Sequence, residues 1–455
     1  MSRRRALLTL TIAGVAAGER FASAAPQAVI GATNLRGGLD AASQGVIPGA
    51  VDAQSKKLAA LIAKAALANT PVFLPPGSYR VSNLDLPDGT RLYGIAGATR
   101  LVYNGEGHLL RSDGARRIEL SNLVLDGAGH SLGDHAPALV HLRNVGEMIV
   151  DNCEIVGSPK TGLQLERCGG RIERNRITGA ADYAVLAIES TGLAITGNHV
   201  DDCGNGGILV HRWVKGPDGT LVTGNRITGT RAKNGGTGQY GNAINIYRAD
   251  NVQVIGNHIS SSAFSAIRSN AGSNVQISSN QCLASGETAI YSEFGFEGAI
   301  VSSNVVDGAA NGISIVNFNE GGRLATVTGN VVRNLSLTAP YEQSDTFFGL
   351  GISVEADTAV SGNVIENAPR FGLLLGWGPY LRNVSVTGNV VRQAKTGCAV
   401  SVAVGAGSAI IASNLFERVT EGGVIGYRWH DVASRELALD ATEFSHLTVT
   451  GNRVI

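Results

Sequence analysis

Thr223-Gly224-Asn225-Arg226-Ile227 returns further along the chain as Thr328-Gly329-Asn330-Val331-Val332, Ser361-Gly362-Asn363-Val364-Ile365 and Thr387-Gly388-Asn389-Val390-Val391. Read outward in both directions, the same Asn step falls at Asn122, Asn152, Asn175, Asn198, Asn257, Asn280, Asn304, Asn414 and Asn452. The shortest intervals are 23, 23, 23 and 24 residues, and longer ones of 32, 33 and 38 read as loops inserted into one unit. A period of that size marks a solenoid, propeller or array; blades of the WD40 or kelch kind need about twice the length. A coil of roughly 23 residues must turn sharply two or three times, and a turn residue with positive φ is best supplied by Gly or Asn. An Asn side chain turned inward can also bond the next coil, so that stacked asparagines form a ladder. With strands about 4.8 Å apart, a dozen coils make a rod of roughly 60 Å.

Composition agrees with an all-β array. Gly accounts for 60 of 455 residues, hydrophobic residues for 44% and charged residues for only 16%, which does not suit a disordered chain. Lys plus Arg and Asp plus Glu balance at 37 each. That offers no electrostatic footprint for nucleic acid, and 5% aromatic residues argues against a base-stacking platform. Five cysteines, odd in number and without a CxxC pair, suit thiols in the coil interior better than a metal site; no metal or cofactor is expected.

The first residues read as an address. Ser2-Arg3-Arg4-Arg5 precedes a short apolar run and an Ala22-Ser23-Ala24 cleavage site, the form of a signal peptide over 1–24, with a twin-arginine pair. Removing its Arg3, Arg4, Arg5, Arg20 and Glu19 leaves 33 basic and 36 acidic residues. The expectation is a bacterial periplasmic or secreted protein that meets the Tat translocon during export and keeps no membrane span afterwards. Residues 25–90 form an N-terminal segment in which Leu58, Leu61, Ile62, Ala65 and Ala66 make one apolar stripe of a helix over 52–69, capped by Asp52 or Ser55 and stopped by Asn69 and Pro71. This helix is placed to cover the open edge of the first coil. Residues 91–455 are the repeats.

The stretch Phe73-Leu74-Pro75-Pro76-Gly77-Ser78-Tyr79, with Ile118-Glu119-Leu120-Ser121-Asn122-Leu123-Val124-Leu125-Asp126-Gly127, resembles the N-terminal part of pectin-lyase-like proteins. The whole chain with its leader resembles an uncharacterised family of twin-arginine-translocated repeat proteins. The resemblance implies an all-β, single-stranded right-handed parallel β-helix with an N-terminal capping helix, and it implies no particular reaction.

A second signature, Gly or Ala before an aliphatic residue, recurs at Gly207-Ile208, Ala243-Ile244, Ala266-Ile267, Ala289-Ile290, Gly312-Ile313 and Gly351-Ile352. Because strand side chains alternate faces, the residues one and three after the signature point outward: Leu209/His211, Asn245/Tyr247, Arg268/Asn270, Tyr291/Glu293, Ser314/Val316 and Ser353/Glu355. The middle rungs are rich in chemistry. His211, Tyr247, Arg268, Tyr291 and Glu293 are the candidate catalytic residues; Arg212, Trp213, Asn245, Arg248 and Asn270 are candidates for binding substrate. Insertions at 231–241 and 337–348 would wall a groove over them. An acidic polysaccharide fits such a groove: Arg268 would neutralise a uronate carboxylate, Tyr247, Tyr291 or His211 would serve as acid and base, and Glu293 would orient one of them. That is a lyase or epimerase. A hydrolase needs two carboxylates roughly 5–10 Å apart, and Glu293 with Glu355 sits at the upper limit. The alternative is a non-catalytic solenoid that binds envelope glycan or protein, its outward Tyr, Arg, Asn and Glu being only a solvated face. Trp377 and Trp429 are expected under loops, and His430-Asp431 in a C-terminal cap.

Overall fold

The computed structural model describes residues 37–235, 238–341 and 348–455; the expected leader over 1–24 lies outside them. About thirteen turns stack into a parallel β-solenoid with three strand ladders. The coil from 194 to 217 shows the plan. Ala194–Thr196 lies in the first ladder, His199–Asp201 in the second and Gly206–Pro217 in the third. Each pairs in parallel with its equivalent one coil on, as in Ile195↔Val222, Val200↔Ile227 and Ile208↔Ile244. The inward Ile and Val of all three ladders join one continuous core along the axis. In the last coils the second and third ladders fuse into the long strands Val364–Leu375, Val390–Ser401 and Leu415–Arg428.

The helix runs over Ser55–Leu67, shorter than 52–69, and its buried stripe is Leu58, Leu61, Ile62 and Ala65. Ser55 is not its cap: it is the first helical residue, and its hydroxyl accepts the Ser82 N–H at 2.9 Å. Asn69, with φ 49°, makes the left-handed stop. Among the described residues no helix is long and apolar enough to cross a membrane.

The asparagine ladder is real, and its division of labour differs from the expectation. From Asn175 to Asn414 the Asn is the buried residue, while the residue before it takes the positive φ, as Gly197, Gly224 and Gly256 do at 65–66°; Asn452, on the last coil, is half-buried. Between the two ends of the ladder each amide is saturated. Oδ1 of Asn257 accepts the backbone N–H of Asn225 at 2.9 Å and its side-chain amide at 3.0 Å; Nδ2 of Asn257 donates to Asn280 Oδ1 at 3.0 Å and Val222 O at 2.9 Å. The same pattern repeats coil after coil to Asn452. Asn122 and Asn152 sit one position earlier, at φ 57° and 50° on the turn itself, and Leu123 and Cys153 fill the buried station. The Gly-Asn order therefore separates two tasks: glycine bends, asparagine bonds. An Ala at Gly224 meets open space but must hold φ 65°. We expect Gly224→Ala to cost about 1 kcal/mol in chemical denaturation, with the m-value unchanged.

All five cysteines are free and buried, and burial pushes the thiols of Cys153, Cys203 and Cys282 up to about 12.

Candidate active site

The third ladder holds the predicted outward register. Leu209, Asn245, Arg268, Tyr291, Ser314 and Ser353 are successive partners in one column; His211, Tyr247, Asn270 and Glu293 are successive partners in the next. The strand period alone brings these residues into contact, because parallel pairing repeats the same side-chain direction at every rung.

This outer face is not simply solvated. Asn245, Arg268 and Glu293 are buried beneath segments that rise on both sides. Gly238, Gln239 and Tyr240 of the first expected insertion form one wall, and Gly238 O receives the Asn242 and Asn245 amides at 2.6 and 3.3 Å. Tyr341 of the second insertion contributes farther along, its hydroxyl donating to Glu287; 342–347 lie outside the described residues. A further wall was not foreseen: the pairing register breaks between His211 and Gly216, and the bulge lifts Trp213 to 54% exposure. The result is a groove of two chambers, about 670 Å³ around His211 and Tyr247 and about 330 Å³ around Tyr291 and Glu355.

Between them stands an ionic node. Arg268 donates from Nε and Nη2 to the two carboxylate oxygens of Glu293 at 2.7 and 3.0 Å, and its Nη1 lies 3.6 Å from Glu287. Asn270 Nδ2 donates to Glu293 at 3.0 Å, and the guanidinium covers the Tyr291 ring at 5.1 Å. This corrects two expected roles. Arg268 is not a free cation for a substrate carboxylate, since its planar fork is filled. Glu293 does not orient a tyrosine or histidine, since it holds Arg268 and Asn270. Burial also drives the Tyr291 hydroxyl far above its ordinary range, so it stays protonated.

The first chamber holds His211 and Tyr247. The rings of His211 and Tyr247 meet edge-on at 5.6 Å. Burial pushes the imidazole down to about 4, against a smaller opposing effect of Asn245, so His211 is neutral at pH 7. Its Nε2 is buried with no hydrogen-bond partner among the described residues. A buried nitrogen left without a partner beside a chamber marks a candidate site for chemistry. Arg212 is pinned by Glu189 at 2.9 Å. Arg248 lies over the Tyr247 ring at 4.8 Å and donates to Trp213 O at 2.7 Å; it has no acid partner among the described residues, which makes it the available cation at this end.

The second chamber holds Glu355, whose carboxylate accepts the Phe318 N–H at 2.6 Å and whose pKa burial raises to about 7. Trp377 and Trp429 pack edge-on at 5.5 Å along its rim. Trp429 is 46% exposed, against the expectation that it lies under a loop. His430 packs on Trp377 at 4.8 Å, beside the antiparallel hairpin that closes the C-terminal end. Glu287, which the sequence reading passed over, precedes the Ala289-Ile290 signature and reaches the node from the corner of the coil. Among the described residues no group of three or more His, Cys, Asp or Glu side chains is placed to hold a metal.

These features define a right-handed parallel β-helix with a walled groove on one face. Residues 102–227 match the family model described as right handed beta helix region. No curated protein matches the chain in sequence. Among solved structures, the chain is similar to the N-terminal fragment of gene product 12 of bacteriophage phi29, at 14% identity and TM-score 0.54, over 90% of this chain and 73% of that one. It is also similar to the catalytic unit of a GH87 alpha-1,3-glucanase from Streptomyces thermodiastaticus strain HF3-3, at 17% identity and TM-score 0.45, over 92% and 69%. A third likeness is to the Dettilon tailspike protein gp208, at 15% identity and TM-score 0.49, over 84% and 67%. At such identities the likeness is one of fold.

Proposed function

We propose that the groove over the third ladder binds an acidic polysaccharide and that the His211–Tyr247 chamber cleaves it by β-elimination. One observation carries the reading. All three tryptophans of the chain, and Tyr183, Tyr240, Tyr247, Tyr291, Tyr341 and Tyr380, line the two chambers. All the tryptophans and six of the ten tyrosines thus fall along one groove, where flat amphipathic rings suit the faces of sugar rings.

In the elimination, neutral His211 removes the proton on the carbon next to the uronate carboxyl. Arg248, with the amides of Asn245 and Asn270, holds the carboxylate as charge moves onto it. The bond to the leaving glycosidic oxygen then breaks, a carbon–carbon double bond forms, and the Tyr247 hydroxyl protonates the departing oxygen. The proton on His211 returns to Tyr247, which restores the pair. An epimerase shares the first step and differs in returning a proton to the opposite face of the carbon. The purified protein, offered alginate, pectate and glycosaminoglycans, is expected to release unsaturated uronate, read by ultraviolet absorbance. Binding without such product, and without exchange of the proton next to the carboxyl, would leave the non-catalytic solenoid as the function.

A further inference from the structure

The second ladder carries a feature unrelated to the groove. Its first outward column reads Glu154, Arg176, His199, Arg226, His258 and Gln281 in successive coils. Arg176, His199 and Arg226 are exposed and His258 is partly so. At about 4.8 Å per rung, the four basic side chains span about 14 Å along the axis, with the two guanidiniums about 10 Å apart. Among the described residues none of the four has a side-chain hydrogen bond or an ion pair.

Elsewhere this fold treats its outward arginines differently. On the same ladder Arg100 pairs with Asp126, Arg333 with Asp307, and Arg392 with both Glu366 and Glu417, each acid standing on a neighbouring coil. On the first ladder Arg117 pairs with Glu147 and Arg382 with Asp357. Acids one coil away are the ordinary way these coils neutralise a stacked charge. Arg176 has Glu154 on the coil before it but makes no ion pair with it, and from Arg176 to His258 the column stacks base upon base, an arrangement that costs repulsion. A linear anion laid along the axis would supply the missing partners.

We infer that this column is a second binding site, for the carboxylate or sulfate groups of an acidic polysaccharide running parallel to the solenoid axis. Duplex DNA fits it less well. A duplex carries a phosphate about every 3.4 Å along each strand, denser than these rungs, and the balanced charge of the chain gives it no general attraction. The site stands on the second ladder and does not depend on the reaction assigned to the groove.

The test is retention on immobilised heparin, a sulfated acidic polysaccharide, and on immobilised duplex DNA in the same low-salt buffer. The double variant R176E/R226E should bind heparin about tenfold more weakly than the unmodified protein and elute at lower salt. The control K56E/K57E changes net charge equally on an exposed helix face and should elute with the unmodified protein; thermal melting checks that each variant is folded. The inference is overturned if the unmodified protein is not retained on heparin, if both double variants weaken alike, or if duplex DNA holds the protein more tightly than heparin.

Discussion

Asn257→Ala should cost roughly 4–6 kcal/mol of unfolding free energy, a far larger loss than its volume suggests. The change orphans the backbone N–H of Asn225, leaves its side-chain amide with Ile195 O as one acceptor of two, and takes one partner from both Asn280 Oδ1 and Val222 O. All these residues are buried, and each unsatisfied buried donor costs about 1–3 kcal/mol. Asn257→Asp gives no relief: it keeps the acceptor, loses the donor and buries a charge. The informative contrast is Asn152→Ala, whose side chain makes an exposed bond to Asn122 at 2.7 Å and whose loss should cost about 1 kcal/mol, mainly through its left-handed φ. Urea denaturation separates the two. Equal losses would show that the buried ladder contributes no more than a turn residue does. Because coils interact mainly with their neighbours, part of the loss at Asn257 should appear as local opening of the adjacent coils, read by hydrogen exchange.

His211→Gln should lower kcat by about 10²–10⁴-fold on whichever acidic glycan the protein cleaves, with KM changed little. Tyr247→Phe should act similarly through the leaving-group step. The pH profile carries the sharper expectation. A base must be unprotonated, and burial holds His211 down to about 4, so kcat/KM should stay level as pH falls through 6.5 and drop only near 4. An acid limb near 6.5 would place the base on an ordinary, solvated histidine. Arg268→Lys should mainly reduce stability, since its lost bidentate bond is to Glu293 and not to substrate.

The fold was legible because its rules are local and repeated. A Gly-Asn step every few dozen residues, with aliphatic residues at fixed distances, fixes the inward face, and strand alternation then fixes the outward one. That is why the columns through Asn245–Arg268–Tyr291 and His211–Tyr247–Asn270–Glu293 could be written down from the chain. What stayed hidden depends on side chains that leave the strand direction. Arg268 and Glu293 are adjacent in the lattice, yet nothing in a list of outward residues says that one consumes the other's charge. Glu287 lies outside the strand signature and reaches the node only because the coil corner bends it inward. Trp213 stands on a bulge whose register break has no counterpart in the repeat, and Trp377 with Trp429 meet across two coils through turns of unequal length. Even the ladder was misread at its start: Asn122 and Asn152 look like the later steps but sit one residue off, because Leu123 and Cys153 occupy the buried station there.

The three tryptophans make the groove directly observable, since the chain has no other indole. Titrating the protein with oligosaccharides of alginate, pectate and glycosaminoglycans, while following tryptophan emission beside calorimetric binding, tests whether the groove is the glycan site. The account predicts that the glycan that binds also shifts or quenches the emission, with the change reduced in both Trp213→Phe and Trp429→Phe. Calorimetric binding that leaves the emission untouched, or no binding to any acidic glycan, would contradict it.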